Sequence, residues 1–278
     1  MRAGRRGDSI TIRRFARSRS EYLNPFPVIA IDGPSASGKG AVAQGVASRL
    51  GFHYLDSGAI YRAVALAAAM AEIDLSAPAV IEARVAELAS TLRLSFAGDR
   101  LLLGGVDATA EIRTEETGHL ASRIAALPAV RAALLARQRD FRAAPGLVAD
   151  GRDMASVVFP DAGLKVFLTA DVTVRAQRRA LQLAATRLAV ISAKGLIEKE
   201  NNAKLSSFFE LEAARLLPVI LMDLQERDLR DAGRSAAPLK QVEGAHLLDT
   251  TDLSVSEAVQ QVIDWFGGVR DGAAFRQG

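Results

Sequence analysis

The stretch "PVIAIDGPSASGKGAVAQGVASRLG" (27–51) constrains this chain more than any other. "PVIAI" is short, apolar and β-branched, which predicts a strand buried on both faces. A glycine-punctuated polar turn follows. "KGAVAQGVASRL" then has a helical pattern that Gly51 ends. Strand, glycine-rich turn and helix form the setting in which Gly-x-x-x-x-Gly-Lys cradles phosphate. Successive backbone N–H groups converge on phosphate oxygens, and the helix N-terminus adds partial positive charge. The turn Gly33, Pro34, Ser35, Ala36, Ser37, Gly38, Lys39, Gly40 and Ala41 is therefore the expected cradle, with Lys39 bridging the β- and γ-phosphates. The motif asks for a hydroxyl residue after the lysine. Gly40 stands there instead, and Ala41 after it has no hydroxyl either.

The rest of the chain alternates strand and helix patterns. A brief strand around "FHYLD" precedes a helix capped by Asp56 or Ser57. "LRLSF" (92–96) and "RLLLGG" (100–105) flank Ala97-Gly98-Asp99 and predict a hairpin. Helices over about 114–126 and 128–142 follow, the second opened by Pro128. "GLVADGRD" (146–153) and "LKVFLTA" (164–170) are further strands, the second leading into a helix over 171–183. "HLLDT" (246–250) is the last strand, and 254–266 a last helix capped by Ser254 or Ser256. This order predicts an α/β fold with a mainly parallel sheet covered by helices on both faces. The helix-rich block 184–225 has no evident place on that sheet.

Composition removes several chemistries. The chain has no cysteine and three scattered histidines, which excludes disulfides, thiol nucleophiles and Cys sites, and disfavours a His-based metal site. No apolar run reaches the roughly 18 residues of a membrane span. The net charge is +3, but residues 1–27 hold seven arginines against Asp8 and Glu21. The basic character therefore belongs mostly to the N-terminal 1–26, an extension expected to be disordered or an over-long start. A transit peptide or anion-binding arm is the other reading. The high pI thus says little about nucleic-acid binding by the remaining chain.

Three further clusters carry possible chemistry. In "LDSGAIYR", Tyr61 and Arg62 lie one turn beyond Ser57. "ADGRD" sets Asp150, Arg152 and Asp153 at the C-terminal end of a strand, the edge where open α/β sheets bind ligands. There a guanidinium can clamp a phosphate bidentately, and carboxylates can hold a base or Mg²⁺ waters. In "ERDLRDAGR", Arg227, Arg230, Asp231 and Arg234 share one helix face. Each cluster alone also fits a capped helix, a salt-bridged turn or a solvated helix face. Together with the phosphate loop they describe phosphoryl transfer between two phosphorylated partners, which needs positioning and charge neutralisation but no nucleophilic side chain.

At this point the chain resembles the bacterial cytidylate kinases, the (d)CMP kinases among the nucleoside monophosphate kinases. The similarity runs over about 27–183 and 226–266. It is carried in order by "IDGPSASGKG", "LDSGAIYRAVALAA", "EIRTEE", "GLVADGRDMASVVFPDAGLKVFLTA" and "ERDLRDAGRSAAPLK" through "LLDTTDLSVSEAV". The resemblance implies a phosphate-loop NTPase-type α/β/α kinase domain over 27–270, with a CMP-binding lobe over about 62–145, a helical lid over about 184–235 and a tail over 271–278. It implies transfer of the ATP γ-phosphoryl group to CMP or dCMP in pyrimidine metabolism. Mg²⁺ would be held through phosphates and water, with no direct protein ligand. By matching position, Ser57, Arg62, Ser122, Arg131, Arg152 and Asp153 would line the CMP site. Of these, Ser122, Arg131 and Asp153 would read the cytosine edge, and Arg62 and Arg152 would hold the phosphate. Arg227, Asp231 and Arg234 would approach from the lid, and Arg178 would approach the donor nucleotide. Lys39, Arg152, Arg178, Arg227 and Arg234 would be the catalytic set. A cytoplasmic monomer acting on small nucleotides, with no nucleic acid or membrane partner, is the accompanying expectation.

Two departures stand against the resemblance. The family loop reads Gly-Lys-Gly-[Ser/Thr], so Gly40 fits and Ala41 replaces the hydroxyl residue. The block 184–225 is longer than the family's usual connection, and an extra helical pair outside the lid is expected there. A kinase acting on UMP or a small hydroxyl acceptor, and a degenerate nucleotide binder, are the competing readings. A GTPase is disfavoured because no Asn-Lys-x-Asp occurs.

Overall fold

The computed structural model describes residues 26–73, 78–97, 100–193, 202–234 and 236–274. The expected extension 1–26 therefore lies almost wholly outside the described residues. Five strands form one parallel sheet: β1 (Val28–Asp32), β2 (His53–Asp56), β6 (Leu147–Gly151), β7 (Leu164–Thr169) and β8 (His246–Asp249), in the order β2-β6-β1-β7-β8. Alternate residues of β1 supply the two cores, as the period of two requires. Val28 and Ala30 face a cluster with Leu55, Leu147 and Ala149, covered by α2 (Ser57–Met70), α4 (Glu115–Ile124) and α5 (Pro128–Arg139). Ile29 and Ile31 face Val148, Leu164, Val166 and Leu168, covered by α1 (Lys39–Leu50) and α8 (Val255–Ala274).

Local signals place the helix starts. Asp56 caps α2 by accepting from the Ala59 N–H at 2.9 Å. Ser254 and Glu257 form a capping box at α8, with Ser254 N donating to Glu257 and Glu257 N to Ser254 Oγ. That helix runs to Ala274, beyond the expected end at 266.

A lobe follows α2. It holds α3 (Pro78–Thr91), an antiparallel sheet of β3 (Leu94–Ala97), β4 (Arg100–Leu103) and β5 (Val106–Asp107), a 3-10 turn (Glu111–Arg113), α4 and α5. The expected hairpin is β3–β4, in register Ala97↔Arg100, and its turn at 98–99 lies outside the described residues. The third strand, β5, has two residues, too few to show a periodicity.

The block 184–225 takes a simpler form than expected. α6 (Val172–Ala193) does not stop at 183, and α7 is one helix of 31 residues (Asn202–Ala232) that continues across Pro218. Ala176, Ala180 and Ala184 repeat every fourth residue, so they share one side of α6. They pack with Ala213, Ile220 and Leu224 of α7 in a third apolar cluster. Among the described residues the expected additional pair is thus one long helical hairpin, with 194–201 outside them.

Candidate functional site

All five parallel strands end on one edge, and a cleft of about 470 Å³ opens there. The loop between β1 and α1 forms its floor. A Cβ on Gly33 would lie 2.0 Å from the Leu168 carbonyl oxygen, so only glycine lets the loop leave the sheet this closely. Gly38, at the N-cap of α1, takes φ 89°, the left-handed backbone that glycine adopts without a Cβ clash. Ser35, Ala36, Gly38, Lys39, Gly40 and Ala41 line the cleft, whereas Gly33, Pro34 and Ser37 lie beneath it. Ser37 Oγ and Lys39 Nζ both donate to the Pro34 carbonyl, at 3.0 and 3.2 Å. Burial and the charge of Arg152 pull the Lys39 ammonium well below an ordinary lysine, against the opposing pull of Asp150 and Asp56.

The residues expected to read a base also line the cleft. Arg131 is ion-paired with the buried Asp153 carboxylate, donates to the Ala125 carbonyl at 3.0 Å and lies 5.9 Å from the Tyr61 ring centroid. Ser57 accepts from Gln138 Nε2 at 2.8 Å, and Ser122 accepts from Arg230 at 2.9 Å. Arg62 donates to the carbonyls of Ile112 and Thr114. Burial, then the charges of Arg179 and Arg227, pull its guanidinium below the usual value.

The remaining wall is cationic. Arg152, just after β6, donates to Asp231 at 2.7 Å and to Ser35 Oγ at 2.7 Å. Arg234 also donates to Asp231. Burial works against the Asp231 carboxylate, but Arg152 and Arg234 outweigh it and hold its pKa low. Arg178 reaches the cleft from α6 while donating to the Thr250 and Thr251 carbonyls. Arg227 sits 2.9 Å from Asp223, at ion-pair distance but without hydrogen-bond alignment. Among the described residues, Arg227 Nε and Nη2 and Arg234 Nε are buried donors with no hydrogen-bond acceptor. Arg230 departs from the expected shared face: it does not line the cleft, and it pairs with Glu226.

Several residues here were not singled out from sequence. Asp32 accepts the Met154 and Ala155 N–H groups, each at 2.8 Å, and so fixes the turn that carries Arg152 and Asp153. Burial lifts it to about 6 although both amides oppose the shift. Glu115, Arg179, Gln182 and Asp223 join the cleft from α4, α6 and α7, on helix faces that read as ordinary solvated surface. Tyr54 donates to Asp150 Oδ1 at 2.8 Å, behind the cleft wall. Burial and then Asp56 push the Asp150 carboxyl upward, while Lys39 and the Tyr54 hydroxyl pull it down. Removing that hydroxyl raises Asp150 further. Tyr54→Phe is therefore expected to move the acid limb of the activity profile to higher pH, read from kcat between pH 5 and 9.

A parallel sheet with this loop and cleft at its C-terminal edge is a phosphate-loop α/β fold of the nucleotide-kinase kind. The sequence model of the family described as cytidylate kinase matches residues 29–203 and 207–267, breaking only at 204–206, inside the block 184–225. A cytidylate kinase of Polynucleobacter asymbioticus is 49% identical over 245 residues, covering 88% of this chain and 98% of its own length. Cytidylate kinases of Chromobacterium violaceum and Cupriavidus necator are each 50% identical, over 240 and 246 residues, covering 86% and 88% of this chain and 95% and 98% of theirs. The chain belongs to the cytidylate kinase family.

Proposed function

We propose that this chain transfers the ATP γ-phosphoryl group to CMP or dCMP, releasing ADP and the nucleoside diphosphate. The observation that carries this reading is the set of buried guanidinium N–H donors on Arg227 and Arg234 without acceptors, in a cleft shared with Lys39 and Arg152. Both guanidinium groups have a carboxylate beside them, but buried N–H donors that make no hydrogen bond are costly, so the site asks for further anionic oxygens. The loop supplies one set of phosphate contacts, and Arg62, Arg152, Arg227 and Arg234 supply the other. The acceptor phosphate oxygen attacks the γ-phosphorus as the bond to the ADP leaving oxygen breaks. Charge spread over the equatorial oxygens is met by Lys39 and the arginines.

The donor set also fits Mg²⁺. Asp56 and Asp150 are carboxylates on the cleft wall near Lys39, suited to a hard cation through its waters, while Ala41 offers no oxygen. Mg²⁺ carried on ATP would neutralise phosphate charge there. At the other end, the Arg131–Asp153 pair and Ser122 would read the cytosine edge. A base that fails to match them leaves buried polar groups unpaired, which discriminates strongly.

An ATP-coupled assay over CMP, dCMP, UMP and AMP tests the proposal. Folded protein that phosphorylates neither CMP nor dCMP overturns it. Restoring the loop hydroxyl with Ala41→Ser adds one hydrogen bond to a charged group. It is expected to improve ATP affinity or turnover by up to about ten- to a hundredfold, measured as KM for ATP and kcat.

A further inference from the structure

Ser35, at the tip of the loop, is gripped from two directions. Arg152 donates to its hydroxyl at 2.7 Å and to Asp231 at 2.7 Å. Arg175, in the first turn of α6, donates from Nη1 to the Ser35 carbonyl at 3.0 Å and from Nη2 to Asp228 at 2.6 Å. Its Nε donates to the Ala170 carbonyl at 2.9 Å, at the end of β7. Asp228 and Asp231 lie three residues apart on α7, so they share a face. Each of the two arginines therefore links the loop tip to the same stretch of α7.

The next loop residue, Ala36, packs against the apolar cluster between α6 and α7 and takes φ 59°. Alanine enters left-handed backbone only at a cost, so contacts outside the loop must hold it there. The two grips differ in kind. Arg152 lines the cleft, where a phosphate can compete for it. Arg175 is 5% exposed and does not line the cleft, and the hydrogen bonds given above are to protein groups.

We propose that Arg175 is a positioning residue that moors the phosphate loop to the α6–α7 hairpin, so that the donor-phosphate cradle takes its shape from α7. This rests on the proposed binding of ATP by the loop. Loop amides must meet phosphate oxygens at hydrogen-bond distance, and a misplacement of about 1 Å can cost around a hundredfold in rate. Arg175 touches no reacting atom and acts only by where it holds Ser35.

Arg175→Gln, Arg175→Lys and Asp228→Asn, made in the full chain, test this. Hydrogen exchange of the amides of 33–41 without ligand is expected to accelerate most in Arg175→Gln, and less in Arg175→Lys, which keeps one charged donor. The affinity for ATP is expected to fall about ten- to a hundredfold in Arg175→Gln, while that for CMP stays within about twofold. Thermal melts identify any variant that has lost its fold, in which case Asp228→Asn, which leaves Arg175 in place, carries the comparison. Unchanged loop exchange, or ATP and CMP affinities falling together, overturns the proposal. Wild-type protein that turns over no CMP overturns the functional reading instead, and the exchange measurement, which needs no substrate, still decides the mooring.

Discussion

Lys39→Ala is expected to lower CMP-dependent ATP turnover by about 10²–10³-fold with the fold intact. The magnitude follows from losing a preorganised donor aimed at charge that develops during the reaction. Lys39 begins α1, where the helix N-terminus already favours an anion, and its ammonium adds a full charge at the same place. The partial burial that pulls its pKa down also lowers the local screening, so its attraction for a phosphate exceeds that of a surface lysine. Its only hydrogen bond among those described is to the Pro34 carbonyl at 3.2 Å, a long contact that a phosphate oxygen can replace. Removing the side chain therefore costs the folded protein little. The check is kcat at saturating CMP, with a thermal melt beside it. Activity unchanged in Lys39→Ala would remove the loop from the mechanism.

The same loop shows how far sequence carries and where it stops. Spacing of Gly33, Gly38 and Lys39 between a β-branched run and a helical run is enough to predict the strand, tight turn and helix, because each requirement is local. The Gly33 approach to Leu168 and the left-handed Gly38 are the physical form of that pattern. Asp56 and Ser254 were legible as caps for the same reason. Asp32 was not, although it stands next to the loop. Its partners Met154 and Ala155 are more than a hundred residues away, and only the parallel pairing of β1 with β6 brings them together. Tyr54 and Asp150 meet across the β2–β6 pairing in the same way. The long α6–α7 hairpin had a local sign, alanines every fourth residue at 176, 180 and 184. A small-residue stripe shows that a helix can pack closely but does not name its partner.

Ala41 shows the converse. Read alone, the absent hydroxyl weakens the case for a nucleotide loop. Set in the cleft, it leaves Lys39, the α1 N-terminus and the arginine wall in place, so on the proposed reading ATP would lose one contact among several. Two of the acidic groups of α7 set the positions of arginines around the loop. Asp231 holds Arg152 in a fixed orientation on the cleft wall, and Asp228 holds Arg175 behind it against the loop, so both guanidinium groups are oriented without a ligand.

Arg152→Ala is the second large expectation, because one guanidinium serves three partners. Its Nε is committed to Asp231, its Nη2 to Ser35 Oγ and its Nη1 to the Gly151 carbonyl. A phosphate entering the cleft can take over the Ser35 donor and keep the Asp231 pair, so the arginine bridges ligand and α7. Two charge-assisted hydrogen bonds to the acceptor phosphate, at roughly 1.5–3 kcal/mol each, correspond to a loss in kcat/KM for CMP of at least about 10²-fold. Arg152→Lys is expected to recover little of it, since a point charge cannot reproduce the planar fork. The alanine variant also leaves the buried Asp231 with Arg234 as its remaining guanidinium partner among the described residues, so a lowered melting temperature should accompany the kinetic loss. Turnover measured well below the lowered melting temperature separates the two effects: the kinetic loss is expected to persist there. Turnover returning to the wild-type level on cooling would mean that Arg152 acts through the fold of α7 and not on the phosphate.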